Sequence, residues 1–331
     1  MPIALITPEN LQHEDGPYVT MLKEAGFEVQ FPHEKTFTRG LCSEEEAIEQ
    51  LSICDALIAG GEHLTPSVLA ALPKLRVVAR SGVGYDRVDI PAATAQKIAV
   101  TITPTANHES VAEHAMMLLL SVAKNIVVND AHSRAGRWPM PTTQPVRGRT
   151  CGILGLGRIG RSFAVRAKAM GMKVIATEMY PNEEFVQQHG IELVDFDTLL
   201  ASSDYLSIHC PVTDETTGLF NKDTFAKIKQ GSVLINTARG ALVVEADLLD
   251  ALQSGRLLGA GTDVYEQEPP ADDNPLFKLG NIVCTPHCAS ADWRSQEDMG
   301  IEATDCIIKL SRGEWPEGAV VNAELKDGWA W

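Results

Sequence analysis

Cys151-Gly152-Ile153-Leu154 reads as an apolar strand that runs straight into Gly155-Leu156-Gly157-Arg158-Ile159-Gly160, and a helix-forming segment from Ser162 to Met170 follows at once. A strand, a G-x-G-x-x-G turn and a helix in direct succession commit this part of the chain to a parallel α/β sheet with a phosphate-binding turn. Gly155 permits the tight turn, Gly157 lets the backbone approach a pyrophosphate, and Gly160 lets the helix pack closely on the strand. The helix N–H groups, beginning at Arg158 and Ile159, then point at the phosphates. A second strand, Met172 to Thr177, ends in an acid, Glu178, eighteen positions beyond Gly160. A carboxylate there accepts hydrogen bonds from ribose hydroxyls and repels a 2′-phosphate. No Arg or Lys lies between Glu178 and Val194 to hold that phosphate, so the cofactor reads as NAD rather than NADP.

Strands and helices alternate on both sides of this turn. Pro2–Thr7, Phe27–Phe31, Ala56–Ala59, Leu75–Arg80 and Ile98–Ile102 read as strands. Helices at Gly16–Ala25, Glu44–Leu51 and Thr65–Ala71 separate the earlier ones, the last capped by Thr65. After Cys151 the further strands are Met172–Thr177, Ile191–Val194, Tyr205–His209, Ser232–Asn236, Leu257–Val264 and Asn281–Cys284. The expected fold is α/β with two doubly wound parallel-sheet domains, a Rossmann domain and a flavodoxin-like domain. The first spans 103–289 and the second is discontinuous, 1–102 closed by a helical return at 290–331. An apolar helix at Ser110–Ile126 should be buried between domains or subunits, and the prolines at 139, 141 and 145 make Arg137–Thr150 a connecting loop.

Charge and cysteine usage narrow the partners. With 44 acidic against 28 basic residues the chain carries a net charge of −16, which disfavours nucleic acid and anionic membranes. An anionic substrate must therefore be met by local cations. No apolar run is long enough to span a bilayer, and the N-terminus lacks the basic flank of a signal peptide. Seven cysteines, an odd number in mostly apolar contexts, fit free thiols in a reducing cytoplasm. Cys284 and Cys288 flank His287 but have no partner pair elsewhere, so no metal is expected.

Three strand ends beyond the glycine turn carry polar groups, where open α/β sheets bind ligands. They are Asn236-Thr237-Ala238-Arg239-Gly240, Asp263 with Glu268, and Thr285-Pro286-His287. Hydride transfer between a 2-hydroxy acid and nicotinamide needs a cation for the carboxylate and carbonyl, and a guanidinium supplies two parallel hydrogen bonds. It also needs a proton carrier that titrates near neutrality, the natural work of histidine. A carboxylate beside the imidazole fixes its tautomer and favours its protonated form. Arg239, His287 and Glu268 suit these three tasks.

These segments, with Arg80-Ser81-Gly82-Val83-Gly84-Tyr85-Asp86, Ser110-Val111-Ala112-Glu113-His114 and His209-Cys210-Pro211, give the chain its resemblance to the D-isomer-specific 2-hydroxyacid dehydrogenases. That family includes phosphoglycerate, glycerate/hydroxypyruvate, D-lactate and formate dehydrogenases, and the similarity extends over nearly the whole sequence. It implies that Arg239 orients substrate, that His287 is the acid–base group and that Glu268 modulates it. The cofactor would be held by Gly155, Gly157, Arg158, Ile159, Gly160, Glu178, Val111, His209, Cys210, Pro211, Thr237, Ala238 and Asp263. Asp263 would meet the nicotinamide carboxamide. Ser81, Gly82, Val83 and Gly84 would receive the substrate carboxylate, joined by Arg80 and Asn107. His114 and Glu113 would be structural. The resemblance further implies a homodimer built on the long helix and domains that close over a small 2-hydroxy or 2-oxo acid.

The chain also departs from the family pattern. Met179 and Tyr180 follow Glu178, and Val244 stands where an acidic or amide residue is usual. The strand Leu57-Ile58-Ala59-Gly60-Gly61 lacks an arginine common in phosphoglycerate dehydrogenases, which weakens a phosphorylated-substrate reading; Arg80 and Arg134 are the cations that would compensate. No regulatory domain is expected after Trp331. An NAD(H)-sensing corepressor on the same fold is the alternative reading.

Overall fold

Two parallel sheets hold the strands in the computed structural model, which describes residues 1–34, 37 and 40–331. The first contains β1 (Ile3–Ile6), β2 (Glu28–Gln30), β3 (Ala56–Ala59), β4 (Val77–Arg80) and β5 (Ala99–Thr101) in the order β2-β1-β3-β4-β5. That is the flavodoxin-like winding expected from the sequence. Strands β3, β4 and β5 are buried along their whole length, which is why they read as unbroken apolar runs. Helices α1 (Pro17–Glu24), α2 (Glu44–Leu51), α3 (Pro66–Ala70) and α4 (Ile90–Ala95) connect them. Ser43 and Glu46 close a capping box at the start of α2, and the Thr65 hydroxyl accepts the Val68 N–H at the start of α3.

The chain divides into two units, Met1–Asn107 with Ser290–Trp331, and His108–Ala289. Residues 103–107, assigned by sequence to the second unit, stay with the first. Thr103 exchanges two hydrogen bonds with Gly82, its N–H donating to the Gly82 carbonyl and its hydroxyl accepting the Gly82 N–H. Thr105 donates to Glu302.

The second unit opens with α5 (His108–Ala123) and α6 (Ile126–Arg134). The helix expected over Ser110–Ile126 ends three residues early, at Ala123, and α6 follows at a bend of 62°. Asn125 makes the break, in the left-handed conformation at φ 50°, which asparagine tolerates better than most residues. No single helix among the described residues is long and apolar enough to cross a membrane. The sheet follows with β6 (Thr150–Leu154), α7 (Arg158–Ala169), β7 (Lys173–Thr177), α8 (Glu183–His189), β8 (Glu192–Leu193), α9 (Phe196–Ser202) and β9 (Tyr205–Ile208). It is completed by α10 (Lys222–Lys227), β10 (Ser232–Asn236), α11 (Glu245–Gln253), β11 (Leu257–Thr262) and β12 (Ile282–Cys284). Its order is β12-β11-β10-β9-β6-β7-β8, so the winding reverses between β6 and β9. Ligands of doubly wound sheets bind outside the carboxyl ends of the strands at such a switch point. The buried side chains Leu118, Leu119, Ile153, Phe163 and Ile235 form one core cluster of this unit.

After β12 the chain rejoins the first unit as α12 (Trp293–Ser311). Ala303, Ile307 and Leu310 pack with Leu22, Ile58 and Ala79. Val320 then bridges Thr101 in antiparallel sense, and the Asn322 side chain bonds the Val100 N–H and the Ile98 carbonyl beside β5. All seven cysteines are free thiols.

Candidate active site

The glycine turn lies at the switch point, between β6 and α7. Gly155 takes φ 91°, and a Cβ there would lie 2.7 Å from the Cys210 nitrogen. This packs the His209-Cys210-Pro211 segment, which follows β9, directly on the turn. At Gly160 a Cβ would fall 2.0 Å from the Gly155 carbonyl oxygen, so the helix can meet the strand only through glycine. Gly157 differs: among the described residues nothing lies within 4 Å of its Cβ position. It is the N-cap of α7, and no side chain among the described residues caps that helix. An uncapped helix N-terminus facing open space at a backbone with no side chain is the shape a pyrophosphate requires. Arg158 is exposed there, and Ile159 packs against the core.

Glu178 holds this turn from below. Its Oε2 accepts the Leu156 N–H at 2.6 Å and its Oε1 accepts the Tyr180 N–H at 3.0 Å. A carboxylate offers about four acceptor positions, so capacity remains for ribose hydroxyls. The His209 imidazole bonds Ser207 at 2.9 Å and lies against Phe163. Its desolvation pushes its pKa down to about 3, so it is neutral and carries no proton in chemistry near pH 7. Desolvation likewise lifts the Cys210 thiol to about 11. Thr237, at the end of β10, keeps a buried hydroxyl without a partner among the described residues, and Val111 is buried on α5.

Arg239, Glu268 and His287 follow β10, β11 and β12, three neighbours in the sheet. A Cβ at Gly240 would sit 1.9 Å from the Tyr265 carbonyl carbon, which seats the Arg239–Gly240 segment against the backbone leading to Glu268. Arg239 donates to the Ala238 carbonyl at 2.7 Å, and its own carbonyl accepts from Asn236. Glu268 Oε1 accepts the Tyr265 N–H, and Glu268 Oε2 lies 2.7 Å from His287 Nδ1. Because the carboxylate accepts, Nδ1 is the donor and Nε2 is left for another partner. The exposures fit this order: Glu268 is 18% exposed and His287 45%.

Asp263 directly follows β11. It is fully buried, and its carboxylate accepts Thr285 Oγ1 at 2.5 Å and the N–H groups of Cys288 and Ala289 at 3.0 and 2.8 Å. These bonds tie the Asp263 carboxylate to the turn that carries His287. His114, Asp263 and Cys288 bring ligand atoms within 4.8 Å of one another, and Asp263 Oδ1 already accepts from Thr285 and Cys288. Val244 leaves α11 without a side-chain cap, yet Glu245 and Glu266 each accept the other's N–H, which supplies the lost acceptor.

In the first unit, Gly82 takes φ 142° and its N–H donates to Thr103. Asn107 is 5% exposed, its Oδ1 has no partner among the described residues, and its Nδ2 lies 4.0 Å from the Gly82 Cβ position. Ser81, Val83 and Gly84 are half-buried around it. Arg80 turns inward, donating to the Gly60 and Gly84 carbonyls. Beside it stands Glu62, fully buried, which accepts from Thr7 and the Gly60 N–H. Burial raises the Glu62 pKa and the Arg80 charge opposes that rise. The two carbonyl bonds tie the turns after β3 and β4 together, and Arg80 braces the 81–84 backbone. Glu62, in the run Ala59-Gly60-Gly61-Glu62-His63-Leu64, escaped the sequence reading; a lone acid in an apolar stretch was the available signal.

Residues 116–289 match the model of the D-isomer specific 2-hydroxyacid dehydrogenase NAD-binding domain. The D-3-phosphoglycerate dehydrogenase of Archaeoglobus fulgidus is 40% identical over 274 residues, 82% of this chain and 52% of that protein. The chain thus spans about half the length of that curated relative. The glyoxylate reductase of Korarchaeum cryptofilum is 39% identical over 290 residues, 86% of this chain and 87% of that one. A crystal structure of the TT0316 protein of Thermus thermophilus superposes with a TM-score of 0.85 at 32% identity, covering 96% of this chain and all of that one. The chain belongs to the D-isomer specific 2-hydroxyacid dehydrogenase family, and its second unit carries that family's NAD-binding domain.

Proposed function

We propose that this protein is an NAD(H)-dependent dehydrogenase that interconverts a D-2-hydroxy acid and its 2-oxo acid. The observation that carries the reading is the 2.7 Å Glu268–His287 pair at the strand ends of an NAD-binding domain. When bound, the nicotinamide supplies or accepts the hydride at C2 of the acid. Gly155, Gly157 and Gly160 hold the pyrophosphate, with the first turn of α7, and Glu178 holds the adenosine ribose. In reduction, His287 Nε2 gives its proton to the carbonyl oxygen as negative charge develops there; in oxidation it takes the hydroxyl proton. Glu268 keeps Nδ1 protonated and the ring oriented, as expected of an effective general acid–base pair. Arg239 supplies the planar cation for the carboxylate and carbonyl.

NADH oxidation with glyoxylate, hydroxypyruvate, pyruvate, phenylpyruvate and phosphohydroxypyruvate tests this reading. Turnover with at least one acid is expected, with NADH preferred to NADPH because Glu178 repels a 2′-phosphate. An unphosphorylated acid is expected to lead, since the strand Leu57-Ile58-Ala59-Gly60-Gly61 carries no arginine for a phosphate. NADH binding with no turnover on any of them overturns the enzyme reading in favour of a sensor.

The protein is further proposed to be a homodimer. Met117, Ile126, Val127, Trp138 and Met140, on α5, α6 and the loop after them, are 41–93% exposed, and a partner copy would cover apolar side chains of this kind. Light scattering is expected to give twice the 35.9 kDa chain mass, and Val127→Glu is expected to give monomers. A monomeric wild type ends the proposal.

A further inference from the structure

Thr285, two residues before His287, is gripped at every polar group it owns. Its N–H donates to the Thr262 carbonyl and its carbonyl accepts from the Tyr265 hydroxyl at 3.1 Å. Its own hydroxyl lies 2.5 Å from Asp263 Oδ1 and 2.9 Å from His114 Nε2. Proton counting gives this chain a direction. Asp263 receives N–H groups from Cys288 and Ala289 as well, so its carboxylate acts as an acceptor and the single Thr285 hydroxyl proton points to it. Only the hydroxyl lone pairs then face the imidazole, and His114 Nε2 must carry a proton and donate. The order is His114 Nε2–H to Thr285 Oγ1–H to Asp263 Oδ1.

The turn that this chain secures has reason to need it. His287 adopts φ 52°, a left-handed conformation that a non-glycine residue keeps only where its surroundings over-determine it. The His287 N–H is held by the Asp263 carbonyl at 2.8 Å, and the next two N–H groups are held by the Asp263 side chain. Helix α5 grips the far end too, since Ser110 Oγ donates to the Ala289 carbonyl at 2.8 Å. Ser110 and His114 are four residues apart, on one helix face. One face of α5 therefore clamps residues 285 and 289, with His287 midway.

We propose that His114 is a positioning residue for His287. Through Thr285 and Asp263 it locks the 285–289 turn in the strained conformation that holds the imidazole against Glu268. The proposal rests on the acid–base role given to His287 above, but the clamp itself is testable without turnover.

The test compares His114→Phe with His114→Gln, whose side-chain amide can restore a donor near the Nε2 position. In His114→Phe, kcat is expected to fall about 10–100-fold, the scale of a small misplacement of a catalytic group, with KM for NADH within about twofold of wild type. His114→Gln is expected to recover most of the loss. Amide exchange at Cys288 and Ala289 is expected to quicken at least about tenfold in His114→Phe and not in His114→Gln, as for a locally opened segment. Unchanged kcat in His114→Phe, equal losses in both variants, or unaltered exchange at 288 and 289 overturns the proposal. Should His114→Phe fail to fold, Thr285→Val against Thr285→Ser asks the same question, with loss expected only for valine. If wild type turns over no acid, the dehydrogenase reading fails, while the exchange result still decides the clamp.

Discussion

His287→Ala is expected to lower kcat for 2-oxo acid reduction by about 10²–10⁴-fold, the usual contribution of a positioned general acid. NADH affinity and melting temperature should stay near wild type. The imidazole is 45% exposed, so removing it opens no core cavity. Its side-chain bond is to Glu268, and that carboxylate keeps the Tyr265 N–H when the ring is gone. Alanine retains a Cβ at φ 52° and so leaves the backbone strain largely as it was; glycine would relax it and mix two effects. The measurement is steady-state kinetics on the best acid of the panel, beside fluorescence titration of NADH. Activity within about tenfold of wild type would remove His287 from the chemistry. A parallel loss of NADH binding would instead show that the turn, not the proton, had been damaged.

The sheets were legible in the sequence because buried parallel strands are continuous apolar runs. The strands Ala56–Ala59 and Ser232–Asn236 coincide with their sequence bounds for that reason. The return of the chain to the first unit followed from a helical segment, now α12, with no strand left to join. The end of α5 was not legible. Ile126, Val127 and Val128 extend its apolar composition, and the left-handed Asn125 that stops it has no hydrophobic signature. Side-chain commitments were the least legible. Nothing in the motif shows that Glu62, eighteen residues earlier, stands beside Arg80, or that Asp263 also braces residues 285–289. A motif records which chemical group stands at a position; three-dimensional neighbours decide how much of that group is left to act.

Gly157→Ala and Gly160→Ala, three residues apart in one motif, are expected to fail in opposite ways. At Gly160 the new methyl would meet the Gly155 carbonyl oxygen at 2.0 Å. Backbone lies on both sides of that contact, so no side chain can swing away, and α7 must lift from β6. An overpacking cost of about 3 kcal/mol follows, or a fall of about 6–12 °C in the melting temperature for a domain of this size. NADH binding should be lost with the geometry. At Gly157 the backbone is at φ −68°, open to any residue, and no described atom lies within 4 Å of the added carbon. Alanine should therefore leave the melting temperature of the free protein unchanged. The methyl instead occupies the space proposed for the pyrophosphate, at about 1–3 kcal/mol, which weakens NADH binding about ten- to hundredfold. Thermal melts with and without NADH separate the outcomes: Gly157→Ala should melt like wild type alone and lose most of the stabilisation that saturating cofactor confers. If Gly157→Ala binds NADH as tightly as wild type, the pyrophosphate does not pass over that backbone, and the site drawn from the glycine turn is misplaced.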